Sequence, residues 1–376
     1  MPVRALARVN VAAIERNCAR LGQELAGGAA LGVVVKADGY GHGAVAAARA
    51  ALAGGARWIC VAAAAEARAL RDAGIDGPLL VMGALSPEEL DMALGAGADV
   101  TAWRAGFVER LAAQTGADGR VGVHVKLDTG MGRLGTRDSA EAHAVAEAVA
   151  AAPGLDLAGA MTHFATADMP DDDGFFAAQL ARFTPWARAL QARHPQILLH
   201  AANSAATLRD AAAHFDLVRC GIAAYGMDPF HEDPAARRLE PAFELRSYIG
   251  DLKHCAPGET AGYGRRFVAT EATELAVLPI GYGDGVRRGL TNNADVLIAG
   301  ARHPLVGTVS MDNLTVDLGP KPSVGPGTEA VLIGADGDER ITAEEVARRL
   351  GTISYEITCG ITARVPRAHH RDGMAV

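Results

Sequence analysis

The residues that could do chemistry fall at the ends of apolar runs. Lys36 closes LGVVVK (31–36) and leads straight into a turn holding Gly39, Gly41 and Gly43, with Tyr40 among them. A lysine at an apolar rim loses charge by desolvation and becomes a nucleophilic amine. Glycines let a ligand approach the backbone closely. Such an amine forms a Schiff base with an aldehyde cofactor, of which pyridoxal phosphate is the commonest. The bland alternative is a lysine that lays its stem on apolar surface and reaches for water.

Other run ends carry a matching set. Lys126 lies in VGVHVKLD (121–128), ahead of Asp128 and Arg133, and His163 ends LDLAGAMTH (155–163). Asn203 and Ser204 follow ILLHAAN (197–203), and DLVRCGI (216–222) carries Arg219, Gly221 and Ile222. Ser204 offers a hydroxyl and Gly221 and Ile222 offer backbone N–H groups, a seat for a phosphate; Ser204 can equally be a helix N-cap. Arg219 is either a surface arginine paired with Asp216 or a partner for a cofactor's pyridine nitrogen. A guanidinium gives up no proton, so it would leave that nitrogen an acceptor and the ring a weaker electron sink. His163 is either a satisfied core histidine or an active-site group. Two lysines in one small mouth repel, so Lys36 and Lys126 together require that one be compensated or modified. Inverting a stereocentre needs an acid/base on each face of a planar carbanion. Tyr263, in AGYG (261–264), is available as the second, although a turn aromatic covering a β core is the plainer role.

These residues need a scaffold that gathers strand ends. Between residues 30 and 226, eight short apolar runs, including also 58–63, 78–83 and 99–103, alternate with alanine-rich helical stretches such as 43–53, 64–74, 86–95, 138–151 and 176–193. Near-continuous apolar runs separated by helices read as parallel βα units buried on both faces. Eight of them predict a closed (β/α)8 TIM-type barrel, with catalytic groups at the C-terminal strand ends; an open doubly wound sheet is the alternative. Residues 227–242, rich in proline and charge, read as a linker. Beyond them 243–255, 274–283, 295–300, 306–318 and 329–334 read as mostly antiparallel strands, with turn signals at Gly300 through His303-Pro304 and at Ala335-Asp336-Gly337. Thr342 and Glu345 mark a capped helix. The fold class is therefore α/β: a barrel over 1–235 followed by a β-rich domain over 236–376.

Composition narrows the partners. The 376 residues carry a net charge of −8 with no basic stripe, which speaks against nucleic acid. No apolar run reaches the length of about 18 residues that a membrane helix needs. The N-terminal stretch meets Glu15 and Arg16 early, unlike a signal peptide. Five scattered cysteines form neither a metal motif nor a disulfide framework, so no metal and a cytoplasmic location are expected.

Nine motifs, in order, resemble those of the alanine racemases, fold-type III pyridoxal-phosphate enzymes: VVKADGYGHG (34–43), KLDTGMGRLG (126–135), THFATAD (162–168), HAANSAA (200–206), VRCGIAAYG (218–226), GYGRRF (262–267), GYGDG (281–285), GTVSMDN (307–313) and SYEITCGITARVPR (354–367). The resemblance implies a homodimer that interconverts L- and D-alanine, supplying D-alanine for peptidoglycan, with active sites shared between subunits. It implies Lys36 as the cofactor-bearing lysine and the base for the D-isomer, and Tyr263 of the other subunit as the base for the L-isomer. His163 and Arg219 match the residues that extend from that tyrosine to the pyridine nitrogen. Tyr40, Ser204, Gly221, Ile222 and Tyr355 match phosphate-binding positions. Arg133, Met311 and Asp312 match substrate-binding positions, Lys126 a lysine often carbamylated, and Tyr282 and Asp168 the entrance. A broad-spectrum or serine racemase is the nearest alternative, and a non-catalytic pyridoxal-phosphate protein a more distant one.

Overall fold

The computed structural model describes residues 3–116 and 120–376. The chain forms two units, one of Ile14–Ala224 and one of Met1–Ala13 with Tyr225–Val376. A single cut at 235 thus differs from what is observed, because the chain passes between units twice. Strand β1 (Leu6–Asn10) pairs antiparallel with Phe243–Tyr248 and parallel with Arg367–Arg371. Its alternating burial is that of a half-buried strand.

In the first unit, eight parallel strands follow one another in order: β2 (Ala30–Val34), β3 (Trp58–Val61), β4 (Leu79–Val81), β5 (Asp99–Ala102), β6 (Val121–Lys126), β7 (Leu155–Met161), β8 (Leu198–His200) and β9 (Leu217–Cys220). Each pairs with its predecessor from β3 to β8, and β9 returns to pair with β2. Two backbone hydrogen bonds bridge the remaining seam, Asp216 N–H to Leu199 O at 3.0 Å and Arg219 N–H to Ala202 O at 2.9 Å. The barrel expected from the βα alternation is therefore present and nearly closed. Helices pack outside it through small side chains, as on Ala44–Ala53, where Ala47, Ala48, Ala50 and Ala51 are buried. The abundant alanine is thus packing material as well as a helix former.

The second unit holds an eleven-stranded sheet, antiparallel except at the pairing of β1 with Arg367–Arg371, and a two-stranded antiparallel sheet of Thr260–Ala261 and Phe267–Val268. Residues 243–255 divide into Phe243–Tyr248 and Asp251–Cys255. The expected turn at His303-Pro304 is instead inside strand Ala301–Val306; the reversal lies at Ala299 and Gly300, whose φ angles are 52° and 76°. Of 306–318, Val306 ends the strand Ala301–Val306 and Leu314–Asp317 forms another, which leaves the loop between them to carry Met311 and Asp312. Thr342 caps Ala343–Leu350 by accepting from Glu345 N–H at 3.1 Å, while the Glu345 carboxylate turns to Arg302 and Arg349. The linker expected at 227–242 is packed: Met227 and Asp228 are buried, and Asp228 pairs with Arg237 at 3.0 Å. Among the described residues no helix is long and apolar enough to cross a membrane.

Candidate active site

The C-terminal rim of the barrel gathers the expected groups. Lys36 follows β2 after buried Val35 and opens a left-handed turn, with φ of 52°, 53°, 61° and 55° at Ala37, Asp38, Gly39 and Tyr40. For L-residues this conformation costs about 1–2 kcal/mol each. Side chains hold it in place. The Ala37 N–H donates to Glu66 Oε1 at 2.7 Å, the Ala44 N–H donates to Asp38 Oδ1 at 2.9 Å, and His42 Nδ1 lies 3.0 Å from both Gly39 O and Tyr40 O. The turn fixes the amine and sends the Tyr40 ring inward, where it is 7% exposed.

Tyr40, Ser204, Gly221 and Ile222 come together. A Cβ at position 221 would fall 2.3 Å from the Tyr40 hydroxyl, so only glycine lets the phenol lie there. Ser204 Oγ accepts from Gly221 N–H at 3.0 Å and from Ala223 N–H at 3.3 Å. Asn203, not Ser204, is the N-cap of the helix Ser204–Arg209, accepting from Ala206 N–H at 2.9 Å. The serine hydroxyl is thereby committed to the loop after β9. Ile222, 1% exposed, starts the 3-10 turn that follows.

Arg219 is 3% exposed and makes no pair with Asp216, whose carboxylate accepts from Leu199 N–H and Gln191. Its Nη1 donates to His200 Nδ1 at 2.9 Å, and its Nη2 donates to Thr162 O at 2.9 Å and Ala201 O at 3.1 Å, with His163 Nδ1 at 3.3 Å. Burial lowers the guanidinium to about 10, which leaves it protonated at neutral pH. Burial, then the charge of Arg219, holds His163 well below the ordinary histidine range. The backbone of His163 is pinned by fully buried Gln179, whose Nε2 donates to His163 O at 3.1 Å and to Thr129 Oγ1 at 3.2 Å.

Lys126 ends β6 and is 4% exposed. Burial first, then the charges of Arg219 and Arg133, lower its amine to about 7. Lys36 contributes to the same repulsion, which is the crowding anticipated for two lysines in one mouth. The charge of Asp128 offsets part of this by raising the amine, while its carboxylate takes the N–H groups of Gly130 and Gly132 and the Arg137 side chain. Arg133 is exposed on the loop beyond β6. Asp168 is half-buried in a loop whose carbonyls at Thr166, Ala167 and Met169 accept from Arg209.

The remaining candidates belong to the second unit. Tyr263, on the turn Tyr263–Arg265, is 74% exposed, and its carbonyl accepts from Thr308 Oγ1 at 2.6 Å. The loop that follows Thr308 meets Tyr282 N–H through Ser310 O and Gly283 N–H through Met311 O, both at 2.9 Å. Asp312 Oδ1 accepts from Arg364 at 2.6 Å. Tyr263, Tyr282, Met311 and Asp312 therefore stand on connected loops, while Tyr355 is half-buried on helix Ser354–Cys359.

Three polar residues inside the barrel, Asp99, His124 and His200, are absent from the reading of strand ends. The available signal is strand alternation: His124 sits two residues before Lys126 and shares its face.

Comparison with known proteins matches both halves of the chain. Residues 9–229 match the family described as alanine racemase, N-terminal domain, and residues 242–369 the family described as alanine racemase, C-terminal domain. The alanine racemase of Thermobifida fusca is 44% identical over 375 residues, covering 97% of this chain and 98% of that one. That of Geobacillus kaustophilus is 40% identical over 369 residues, covering 97% and 94%. Among solved structures, the alanine racemase from E. faecalis superposes with a TM-score of 0.91 at 34% identity, covering 97% of this chain and 98% of that one. The alanine racemase from Bacillus anthracis, solved with bound L-Ala-P, gives 0.90 at 34% identity, covering 100% and 97%. With both domains matched and the similarity running end to end, the chain belongs to the alanine racemase family of isomerases.

Proposed function

We propose that the protein interconverts L- and D-alanine as a homodimer, with pyridoxal phosphate held at the C-terminal mouth of the barrel. The observation that carries this reading is the convergence there of a fixed amine, a buried donor-only guanidinium and a hydroxyl-lined loop pair. The residues suit the cofactor. Lys36 is the amine for its aldehyde, Arg219 the donor for its ring nitrogen, and Tyr40, Ser204, Gly221, Ile222 and Tyr355 the groups for its phosphate. When bound, that cofactor supplies an electron sink that acidifies the Cα proton of an amino acid.

The chain supplies the proton carriers. Lys36 takes the Cα proton of the D-isomer, and Tyr263 of the partner subunit takes that of the L-isomer, one on each face. Arg219 keeps its proton and would donate to the cofactor's ring nitrogen without charging it, which would make the cofactor a weaker electron sink and favour prompt return of the proton to Cα. Arg133 receives the substrate carboxylate. Met311 and Asp312 bound a small side-chain pocket, and Tyr282 and Asp168 line its entrance. The lowered basicity of Lys126 leaves neutral amine available at physiological pH, the form that takes up carbon dioxide, and a carbamate there would be an anion for Arg133 to pair with.

The test is polarimetry of L-alanine with the cofactor present. Optical rotation should fall to zero, and L-serine and L-lysine should be turned over far more slowly. Tyr263→Phe should retain cofactor binding and lose L-alanine conversion by about 10²–10⁴-fold, the range for a missing acid/base. Unchanged turnover in that variant would remove the two-base mechanism.

A further inference from the structure

The barrel interior carries a line of polar side chains that the proposed chemistry does not use. Lys126 on β6 feels the charges of Arg219 on β9 and of Lys36, so its face of β6 looks into the barrel. His124 and Gly122 share that face. His124 Nδ1 lies 2.8 Å from His200 Nε2, and His124 Nε2 lies 3.1 Å from Asp99 Oδ2. His200 Nδ1 in turn lies 2.9 Å from Arg219 Nη1. Both imidazoles are fully buried, and the Asp99 side chain is 25% exposed.

Donor and acceptor roles leave one proton arrangement. A guanidinium only donates, so His200 Nδ1 is bare. Burial and the Arg219 charge keep His200 neutral, so its single proton is on Nε2 and points at His124. His124 Nδ1 must then accept, which places the His124 proton on Nε2, aimed at Asp99. The carboxylate accepts and ends the line. Every link points away from Arg219. Without an acceptor at its far end the histidine pair could reverse, with His124 Nδ1–H donating to His200 Nε2. His200 Nδ1–H would then face Arg219, donor against donor.

Two glycines make room for this line. A Cβ on Gly159 of β7, the strand between the two histidines, would fall 2.2 Å from His124 Nδ1. A Cβ on Gly122 would fall 2.4 Å from the carboxyl carbon and both oxygens of Asp99. Glycine inside a strand is less stable than alanine, so both positions give up local stability at the points where the line passes. The pairing of β6 with β7 also shifts register at Val123 and His124.

We propose that Asp99 is a positioning residue that, through His124 and His200, fixes the tautomer that accepts from Arg219 and so holds the guanidinium in place. Its value to catalysis rests on the racemase reading above; the tautomers do not. The experiment is nitrogen-15 NMR of the histidines in the cofactor-loaded, full-length protein, assigned by single histidine substitutions, together with alanine racemisation kinetics. The wild type should show His200 and His124 each protonated at Nε2 and bare at Nδ1. Asp99→Asn, whose carbonyl oxygen still accepts, should keep both tautomers and lose less than about 3-fold in kcat. Asp99→Leu should mix the tautomers and lower kcat by about 10-fold at similar KM, the lower end of what loss of an outer hydrogen-bond partner costs. Protonation of His200 at Nδ1 in the wild type overturns the proposal without any variant, as does an Asp99→Leu protein with wild-type tautomers and kcat. An active racemase with the wrong tautomers refutes this proposal alone. The expected tautomers in a protein that does not racemise alanine support it and refute the functional reading.

Discussion

The buried amine of Lys126 couples the site to the stability of the fold. Its ordinary value is 10.5, and in the folded chain it is about 7. Between those values the unfolded chain binds a proton that the folded chain does not, so stability climbs with pH across that window. Below it both states are protonated and the cost of burying the charge is constant. A one-proton difference changes stability by at most about 1.4 kcal/mol per pH unit. Lys126 should therefore contribute a slope of about +1 kcal/mol per unit to urea unfolding in carbon-dioxide-free buffer from about pH 7.5 to about pH 9. Set against it is the opposite slope from the thiols of Cys18, Cys60, Cys220 and Cys255, which burial raises and which the wild type and Lys126→Met share. Lys126→Met keeps the stem and drops the amine, and should flatten that slope; equal slopes in the two proteins would refute the assignment. Lys126 was legible in the sequence because it closes an apolar strand, as were Lys36, His163 and Arg219. His124 and His200 were not. A histidine within an apolar run reads as core, and their meeting depends on the absent side chain of Gly159 on the strand between them. Asp99 opens its strand, the end opposite the one where barrel chemistry is sought.

At the scale of elements, the turn after β2 is the part of the site most dependent on outside support. Glu66 is its anchor. Its Oε1 takes the Ala37 N–H, and its Oε2 takes the N–H groups of Ala62 and Ala63 at 2.9 and 3.1 Å. One carboxylate thus ties the residue after Lys36 to the loop after β3. Removing it leaves three exposed or half-buried donors without that acceptor and a left-handed turn without its clamp, and the net loss of a hydrogen bond that water can partly replace is about 0.5–1.5 kcal/mol. Glu66→Ala should lower unfolding free energy by that amount and weaken pyridoxal-phosphate binding, followed by cofactor absorbance. Glu66→Gln, with one acceptor oxygen left, should fall between. Cofactor affinity equal in all three proteins would mean that the turn holds its shape unaided. The barrel strands and their helices were readable because each apolar run is bounded by its own turn signals. Strand β1 was not, since its partners lie more than 200 residues away, and Pro304 concealed Ala301–Val306 by mimicking a turn. The proline and charge of 227–242 read as solvated chain, whereas Asp228 is buried on Arg237.

At the scale of the whole molecule, the two proposed bases belong to different units, Lys36 to one and Tyr263 to the other. Within a single chain Tyr263, Tyr282 and Met311 are 74%, 41% and 52% exposed, a concentration of large apolar surface on connected loops that suits a partner-facing role. A two-fold dimer would let each barrel receive these loops from the other protomer. Lys36→Ala and Tyr263→Phe should each be inactive alone, since each dimer would lack the same base at both sites. Co-expressed, half of the dimers should be hybrids. In a hybrid one site draws its lysine from the Tyr263→Phe chain and its tyrosine from the Lys36→Ala chain, and is intact; the other site lacks both. Recovery should approach about one quarter of wild-type turnover if the protomers assort randomly. Sites built within one chain would give no recovery, because every lysine-bearing barrel would keep its own phenylalanine. Recovery near zero, with hybrids verified by mass, would therefore refute the shared site while leaving each base's role intact.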